Sequence, residues 1–447
     1  MFGGRRYVNS VTGLQAINIL RFITFLIISV VFTKIGLSKE QIGLFEVSIF
    51  IASASSFFWV NGLIQAFLPL FKSNNAFGEK EQLAGTKSPE VFNIYVILVF
   101  FSVIVFLFGL ALKGNFSIFG YSGNVPLLNI TLLYLLLSSP ANLVEYIYMV
   151  QDKSGNTISY GYITSVLQLC AAIIPPWLGY DVVWSLRGLV VVSIFKNIWL
   201  ITLLYNYSEV KFSFPFIKEV LFLAAPIVFS ILVNGSAQYV DGLVITLNYG
   251  AEGFAIFRYG AKELPFVVMM AAGLSSALLT QFSKKENVRE TLGILRKKSL
   301  RIMHWMYPLS IVLLLFAKPM YKWVFSPEFT RSADVFVIYL LAIVSRVLFP
   351  HTILIGLKKT RTLFRISVIE VILNIALSLW LVHDYGVVGV ALATIVTYII
   401  SKAILILYNY INLGFKPNEY IPLKWYVFYS TVLIVIFVLL DRGVMVI

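Results

Sequence analysis

Apolar runs of about twenty residues recur along the whole chain, separated by short polar segments. A helix needs about 20 apolar residues to cross the hydrocarbon core of a bilayer. The pattern therefore predicts an all-α, polytopic membrane protein with thirteen spans. The predicted spans cover residues 11–34, 40–72, 91–112, 125–150, 157–179, 183–207, 217–248, 254–282, 299–318, 333–357, 361–383, 386–412 and 421–440.

The composition supports this interpretation. Of 447 residues, 59% are hydrophobic and 13% are charged, with a mean hydropathy of +0.87, whereas a soluble domain has about 25% charged residues. The net charge of +14 does not indicate nucleic-acid binding, because the cations lie in short loops and form no basic domain. The single cysteine, Cys170, excludes a disulfide framework and a cysteine-based metal site.

The loops predict the orientation. Lys and Arg are concentrated in the loops on the same side as the N-terminus, most densely around residues 283–300. The positive-inside rule then predicts a cytoplasmic N-terminus. The basic N-terminal segment is not followed by a small-residue cleavage site, so we interpret the first apolar run as a retained span. Thirteen spans would leave the C-terminus outside.

The two halves of the chain resemble each other. GLIQAFLPLF at 62–71 is similar to GLSSALLTQF at 273–282, and YDVVWSL at 180–186 aligns with YGVVGVA at 385–391. Six spans in each half bring both halves in from the same side, so the repeat axis runs along the membrane normal. We predict two pseudo-symmetric six-helix bundles that form a central cavity, plus one extra C-terminal transmembrane helix. The predicted boundaries are 1–210, 211–415 and 416–447.

Several segments carry a family resemblance, which covers about residues 11–412. They are Ile42-Gly43-Leu44-Phe45 after the first span, Gly253-Phe254-Ala255 in the second half, and YGVVGVALAT at 385–394. The chain resembles the multidrug/oligosaccharidyl-lipid/polysaccharide (MOP) exporters and, among them, the Wzx-type polysaccharide and O-antigen flippases. The usual core of that superfamily has twelve spans and the related peptidoglycan-precursor flippases have fourteen, so thirteen departs from both.

The resemblance implies a function. It implies alternating-access translocation of an undecaprenyl-pyrophosphate-linked oligosaccharide across the bacterial inner membrane, for polysaccharide or O-antigen (lipopolysaccharide) biosynthesis, and no enzymatic activity. The expected partners are that lipid-linked oligosaccharide, membrane lipid, H⁺ or Na⁺, and a polysaccharide polymerase. We expect no cofactor and no nucleic acid.

Embedded cations are the candidate substrate site. An ionised side chain within an apolar, membrane-spanning segment costs free energy, and such residues are by default candidates for a functional role. Guanidinium groups bind phosphate oxygens bidentately, and Lys adds a point charge. Arg258 and Lys262 lie four apart and share a helix face, which favours an anion between them. The candidates are Arg21, Lys196, Arg258, Lys262 and Arg346; Arg21 and Arg258 occupy spans one and eight, where the resemblance implies cavity arginines.

Embedded carboxylates are the candidates for ion coupling. Because the chain has no GxxxxGK[ST] loop, nucleotide hydrolysis cannot drive transport within it. Asp241, Glu46 and Glu263 could hold a proton or Na⁺; alternatively, they balance the charge of the arginines and lysines. Glu145, Lys402 and His304 are placed nearer span ends, where snorkelling explains them. Glu370 and Asn374 are expected to bond to neighbouring helices.

Two other function classes remain as alternatives. A small-molecule or drug exporter of the MATE-like type would need acidic, apolar cavity walls, whereas the embedded charges here lean basic. A membrane glycosyltransferase or polymerase would gather acid/base groups on large loops. No loop between the predicted spans exceeds about twenty residues.

Overall fold

Helices make up almost all of the chain wherever the structure describes it. The computed structural model describes residues 10–75, 87–113, 127–151, 153–261, 274, 275, 278, 282 and 288–441. Within those residues there is no β-strand, and a single isolated bridge joins Ser88 to Ser208. The predicted all-α class is confirmed.

The described residues of the first half form eight helices. They are α1 (Ser10–Lys34), α2 (Lys39–Ala54), α3 (Phe57–Asn75), α4 (Pro89–Ala111), α5 (Leu128–Ala141), α6 (Leu143–Val150), α7 (Ser154–Trp177) and α8 (Val182–Tyr207). The second predicted span corresponds to α2 and α3 together, and the fourth to α5 and α6.

The second half begins with a long helix and ends with the predicted extra one. Its helices are α9 (Phe214–Gly260), α10 (Val288–Val324), α11 (Thr330–Leu340), α12 (Ile343–Arg346), α13 (Pro350–Gly356), α14 (Thr360–Leu413), α15 (Pro417–Tyr420) and α16 (Leu423–Asp441). A 3-10 turn at Pro327–Phe329 precedes α11.

Ten helices among the described residues are long and apolar enough to cross a membrane. The count is eleven if the pair Pro327–Arg346 and Pro350–Gly356, bent by 48°, forms one span. The predicted spans 361–383 and 386–412 both lie in α14. The predicted eighth span, 254–282, lies largely outside the described residues. The chain is a multi-pass membrane protein.

Glycine allows a sharp kink in each of the two longest helices. Gly386 in α14 has φ 60° and Gly250 in α9 has φ 62°. That left-handed region is costly for residues with a Cβ and open to glycine. The kink at Gly386 divides α14 into two arms, which span residues 360–385 and 387–413. The helices on either side of Gly386 are thus the two separate predicted spans.

The described helices pack into two compact units, each with its own contacts. The first runs to Gly235 and includes Gly250–Glu252, and the second contains Ser236–Tyr249 and the chain from Gly253 onward. In the first, α7 packs against α1 and α8, and α5 packs against α4 and α8. The predicted boundary at residue 210 concerns the sequence repeat and stays a prediction.

The second unit holds the extra C-terminal helix through aromatic side chains. Helix α10 packs against α11 and α16, and α13 packs against α14. The rings of Tyr307 on α10 and Tyr429 on α16 stack with centroids 5.3 Å apart. The hydroxyl groups of Tyr307 and Ser430 lie 2.6 Å apart. These contacts fix α16 to the bundle.

Small residues bring α7 and α8 into close contact. Lipid tails are as apolar as Leu, so helix association in a bilayer depends on close packing and hydrogen bonds. The Ser185 hydroxyl donates to the Ala172 carbonyl at 2.6 Å. A Cβ at Gly188 would lie only 2.5 Å from the carbonyl oxygen of Ala171. The α7–α8 packing therefore requires glycine at position 188.

We predict that Gly188→Ala destabilises the first unit, because the new Cβ must push α8 away from the α7 backbone. Overpacking of this kind costs about 1–3 kcal/mol. The thermal unfolding midpoint of the detergent-purified protein should fall. Gly155→Ala on α7 is the matched control, because a Cβ there meets no atom within 4 Å. Equal midpoints for both variants would contradict the prediction.

Candidate functional site

A charged pair connects α1 to the break between α5 and α6 in the first unit. The Arg21 guanidinium forms a salt bridge with Glu145, whose side chain is only 4% exposed, while that of Arg21 is 36% exposed. Arg21 also donates to the Asn142 side-chain oxygen at 3.4 Å. Glu145 is therefore not a snorkelling residue at a span end, as the sequence suggested, but the buried partner of Arg21.

The break that positions these groups has a local cause. Pro140 lies at the end of α5, and the Asn142 side-chain amide donates to the carbonyls of Ser138 and Ser139 at 3.2 Å each. Such bonds compete with the regular helical ladder. The chain restarts as α6 at Leu143, which directs Glu145 toward α1.

Lys196 adds a second positive charge to this pair. It is half-buried on α8, and it interacts electrostatically with both Arg21 and Glu145. Tyr134, Tyr146 and Tyr160 interact with Arg21 in the same way. We call Arg21, Lys196 and Glu145 the first-unit cluster. With two cations and one carboxylate it has a net charge of +1, so it can attract a further anion.

Asp241 lies in a nest of neutral hydrogen-bond donors in the second unit. The residue is 1% exposed. Thr394 donates to its carboxylate, as do Asn374 at 3.3 Å, Ser378 at 3.4 Å and Tyr339 at 3.4 Å. Asp241 was expected either to bind an ion or to balance an arginine or lysine, and the described residues around it include no such cation. Its described partners carry no charge.

The nest also contains a buried oxygen whose lack of a described hydrogen-bond donor suggests a cation site. Among the described residues, the Asn374 side-chain oxygen is buried and has no hydrogen-bond donor. A buried acceptor without a donor is costly. Together with the Asp241 carboxylate and the hydroxyl groups of Ser378 and Thr394, it makes an oxygen set of the kind that hard cations prefer.

The remaining predicted site residues of α2 and of the eighth predicted span differ in their exposure, and two of them are not described. Glu46 is 7% exposed on α2 and accepts a hydrogen bond from Ser29 at 3.2 Å. Arg258 is exposed near the end of α9. Lys262 and Glu263 lie outside the described residues, so their roles stay predictions.

Arg346 lies at the bent span of the second unit. Its guanidinium carbon is 4.6 Å from the centre of the Tyr398 ring, a cation–π contact. Lys402, expected to snorkel at a span end, instead contacts His351, and Glu370 accepts a hydrogen bond from Ser401. Sequence reasoning missed His351. No group of three or more His, Cys, Asp or Glu suited to a metal occurs in the described parts of the chain.

Comparison with known proteins identifies the family. The family model described as "Polysaccharide biosynthesis protein" matches residues 37–334, about two thirds of the chain. The chain belongs to the polysaccharide biosynthesis protein family. No curated protein sequence matches it significantly.

Solved structures share the fold. The lipid II flippase MurJ in an inward closed conformation matches with a TM-score of 0.67 and 19% identity over 96% of this chain and 93% of that one. An inward-facing multidrug resistance MATE transporter of the MOP superfamily matches with a TM-score of 0.59 and 16% identity over 91% and 98%. A MOP superfamily transporter from Pyrococcus furiosus gives a TM-score of 0.51 at 14% identity, over 91% and 94%.

The predicted resemblance agrees with both findings. The family match is to polysaccharide biosynthesis proteins, and the fold is shared with a lipid II flippase and with transporters of the MOP superfamily. The predicted two-bundle fold class is confirmed by the fold that the chain shares with these structures.

We predict that Arg21 and Glu145 are energetically coupled. Glu145→Gln leaves Arg21 and Lys196 as neighbouring cations without their carboxylate, so it should lower the thermal unfolding midpoint. Adding Arg21→Met should restore part of the loss. Contacting charges couple by about 0.5–3 kcal/mol, and the partial exposure of Arg21 favours the lower part of that range. Additive effects in the double variant would refute the coupling.

Proposed function

We propose that this protein is a flippase that moves an undecaprenyl-pyrophosphate-linked oligosaccharide across the bacterial inner membrane by alternating access. Its product would feed polysaccharide or O-antigen assembly, where a polymerase uses it. The observation that carries the proposal is the first-unit cluster of Arg21, Lys196 and Glu145, which is net cationic within membrane-spanning helices. Family membership and the fold shared with the lipid II flippase support it.

The chemistry of the cluster fits a pyrophosphate head group. Its single carboxylate neutralises only one of two cations, so an anion can bind without displacing the salt bridge. Guanidinium is a bidentate donor to phosphate oxygens, and the Lys196 ammonium supplies a compact second charge. In a low-dielectric setting these contacts are stronger than in water. The tyrosines around Arg21 could donate to the same group.

The proposed orientation places the N-terminus in the cytoplasm. The described segments at Lys87, Lys153, Lys211, 289–301 and 358–361 would then lie on the inner face. Together they carry more Lys and Arg than the described loops on the opposite face, as the positive-inside rule requires. A lipid-linked substrate made in the cytoplasm would enter from this face.

A MATE-like exporter is the second candidate. The shared fold includes multidrug MATE transporters, and Asp241 supplies the buried carboxylate that a cationic substrate would need. Against it, the first-unit cluster would repel a cation. A membrane glycosyltransferase or polymerase receives no support from the family or the fold.

We predict that Arg21→Glu and Lys196→Gln abolish or strongly reduce surface polysaccharide display, because each removes the excess positive charge. Translocation of a labelled lipid-linked oligosaccharide in proteoliposomes should fall in parallel. Arg187→Glu is the control for Arg21→Glu, since Arg187 is exposed and packs on Trp184 outside the cluster. Lys218→Gln, at an exposed lysine, is the control for Lys196→Gln.

The outcomes separate the candidates. Normal display and translocation in Arg21→Glu at equal protein level would refute the role of the cluster. Drug efflux by the wild type with no glycan phenotype would replace the flippase with the exporter. Sugar transfer by the purified protein would instead make it an enzyme.

We further propose that Asp241 binds the coupling cation, as H⁺ or Na⁺. The carboxylate is held by neutral donors, so the nest keeps a full negative charge that only a cation can offset. The donor-free oxygen of Asn374 supplies another ligand. Glu46, which accepts a hydrogen bond from Ser29, remains the second candidate among the described carboxylates.

We predict that Asp241→Asn removes the ion dependence of translocation, because the amide has no charge to be offset. Wild-type proteoliposomes are compared with imposed Na⁺ and H⁺ gradients separately. The gradient that stimulates wild type identifies the ion. Asp384→Asn, at an exposed position on α14, is the matched control. Undiminished stimulation of Asp241→Asn would exclude the site.

A further inference from the structure

A second group of charged side chains lies at the bent span of the second unit. His351 on α13 lies between two partners. Its Nδ1 is 3.1 Å from the Lys402 ammonium, and its Nε2 is 3.4 Å from the Ser275 hydroxyl. The charge of Arg346 on α12 acts on both His351 and Lys402. We call Arg346, His351 and Lys402 the second-unit cluster.

The contact with Lys402 fixes the protonation of the imidazole. An ammonium group can only donate, so Nδ1 of His351 must accept from it. The ring is then neutral, and Nε2 carries the proton that it donates to Ser275. A proton on Nδ1 as well would place two cations 3.1 Å apart, with Arg346 as a third. Such a cluster of like charges disfavours the protonated ring.

One carboxylate partly offsets these charges. Glu370 lies on the first arm of α14, accepts a hydrogen bond from Ser401 and acts electrostatically on Lys402. Tyr398 covers Arg346 from the second arm. Among the described residues, Arg346 and Lys402 act on His351, and Glu370 acts on Lys402. With a neutral ring these three described charges sum to +1.

The cluster borders open space. Arg346, His351, Glu370 and Lys402 are all partly exposed, although the bent pair of helices and α14, which carry them, are apolar enough to cross a membrane. Ionised side chains within a membrane face water or protein and avoid lipid. The exposed sides of these groups therefore adjoin a region that solvent or a polar ligand can enter.

We propose that the second-unit cluster is a phosphate-binding site that takes up one proton when it binds. On arrival of a phosphate, the Lys402–Nδ1 hydrogen bond breaks and Nδ1 gains a proton from solvent. The Lys402 ammonium and the His351 imidazolium each then donate to a phosphate oxygen, beside the Arg346 guanidinium. The negative charge of the ligand removes the repulsion that kept the ring neutral.

This inference rests on the proposed function. It adds a second phosphate site, the second-unit cluster, whose affinity depends on pH. A low external or local pH would favour the loaded state, and a high pH would favour release. Because proton uptake is linked to phosphate binding, the affinity for phosphate should rise as the pH falls. The rise is up to about tenfold per pH unit where one whole proton is taken up. The first-unit cluster has no histidine, so a comparison of wild type with His351→Gln isolates the contribution of the imidazole.

The test uses the full-length protein in detergent and farnesyl pyrophosphate as the probe. Calorimetric titration in two buffers of different ionisation enthalpy counts the protons taken up per bound probe, at pH 6 and pH 8. We expect wild type to bind more tightly at pH 6 and to take up about one more proton than His351→Gln. His383→Gln, at an exposed histidine on α14, should behave as wild type.

The remaining variants and outcomes separate the proton-linked phosphate site from the flippase proposal. Lys402→Gln should weaken binding at both pH values, since it removes a fixed charge. Equal proton uptake by wild type and His351→Gln, with the probe bound, would overturn the inference while leaving the flippase proposal intact. Should His351→Gln fail to fold, wild-type binding without net proton uptake would overturn it equally. No binding of the probe by wild type would overturn both proposals.

Discussion

The cost of placing charge inside a bilayer shapes this protein more than any other constraint. A charged side chain at the centre of a spanning helix costs several kcal/mol unless it finds a partner or water. The described helices are almost entirely apolar, yet they retain ionised groups at a few positions. Several of these groups contact polar groups from distant parts of the sequence. The Arg21–Glu145 pair, 124 residues apart, is the clearest case.

The same constraint gathers the charges into small clusters. Arg21, Lys196 and Glu145 meet in the first unit. In the second unit, an arginine, a lysine and a glutamate again occur together around the bent span. Among the described residues, the first-unit cluster keeps one positive charge in excess, as does the second-unit cluster when Glu370 is counted with it. A purely structural ion pair would need no second cation, and its desolvation would make it a poor source of stability. The excess charge is better explained by an anionic ligand.

Hydropathy predicted most of the spans that the structure describes, because a membrane imposes a similar length on each helix. It also separated the two arms of α14, since His383 and Asp384 interrupt the apolar pattern just before the kink at Gly386. The partners of the charges could not be predicted in this way. Glu145 and Lys402 lie near span ends in the sequence. Their contacts depend on the breaks at Asn142 and Pro350, which position Glu145 itself and His351, the partner of Lys402. Breaks and cross-helix contacts depend on packing, which a single sequence does not display.

The two proposed sites of the second unit share the arms of α14. Asn374 and Ser378 of the Asp241 nest lie four and eight residues beyond Glu370, and Thr394 lies eight before Lys402. At 1.5 Å per residue these separations are about 6–12 Å. Opposite unit charges about 10 Å apart attract by about 2 kcal/mol at an effective dielectric constant of 20. A cation in the nest would therefore favour a phosphate in the cluster, and reciprocity requires the phosphate to favour the cation equally. Ion and lipid head group would then load together, with α14 as the element that carries both.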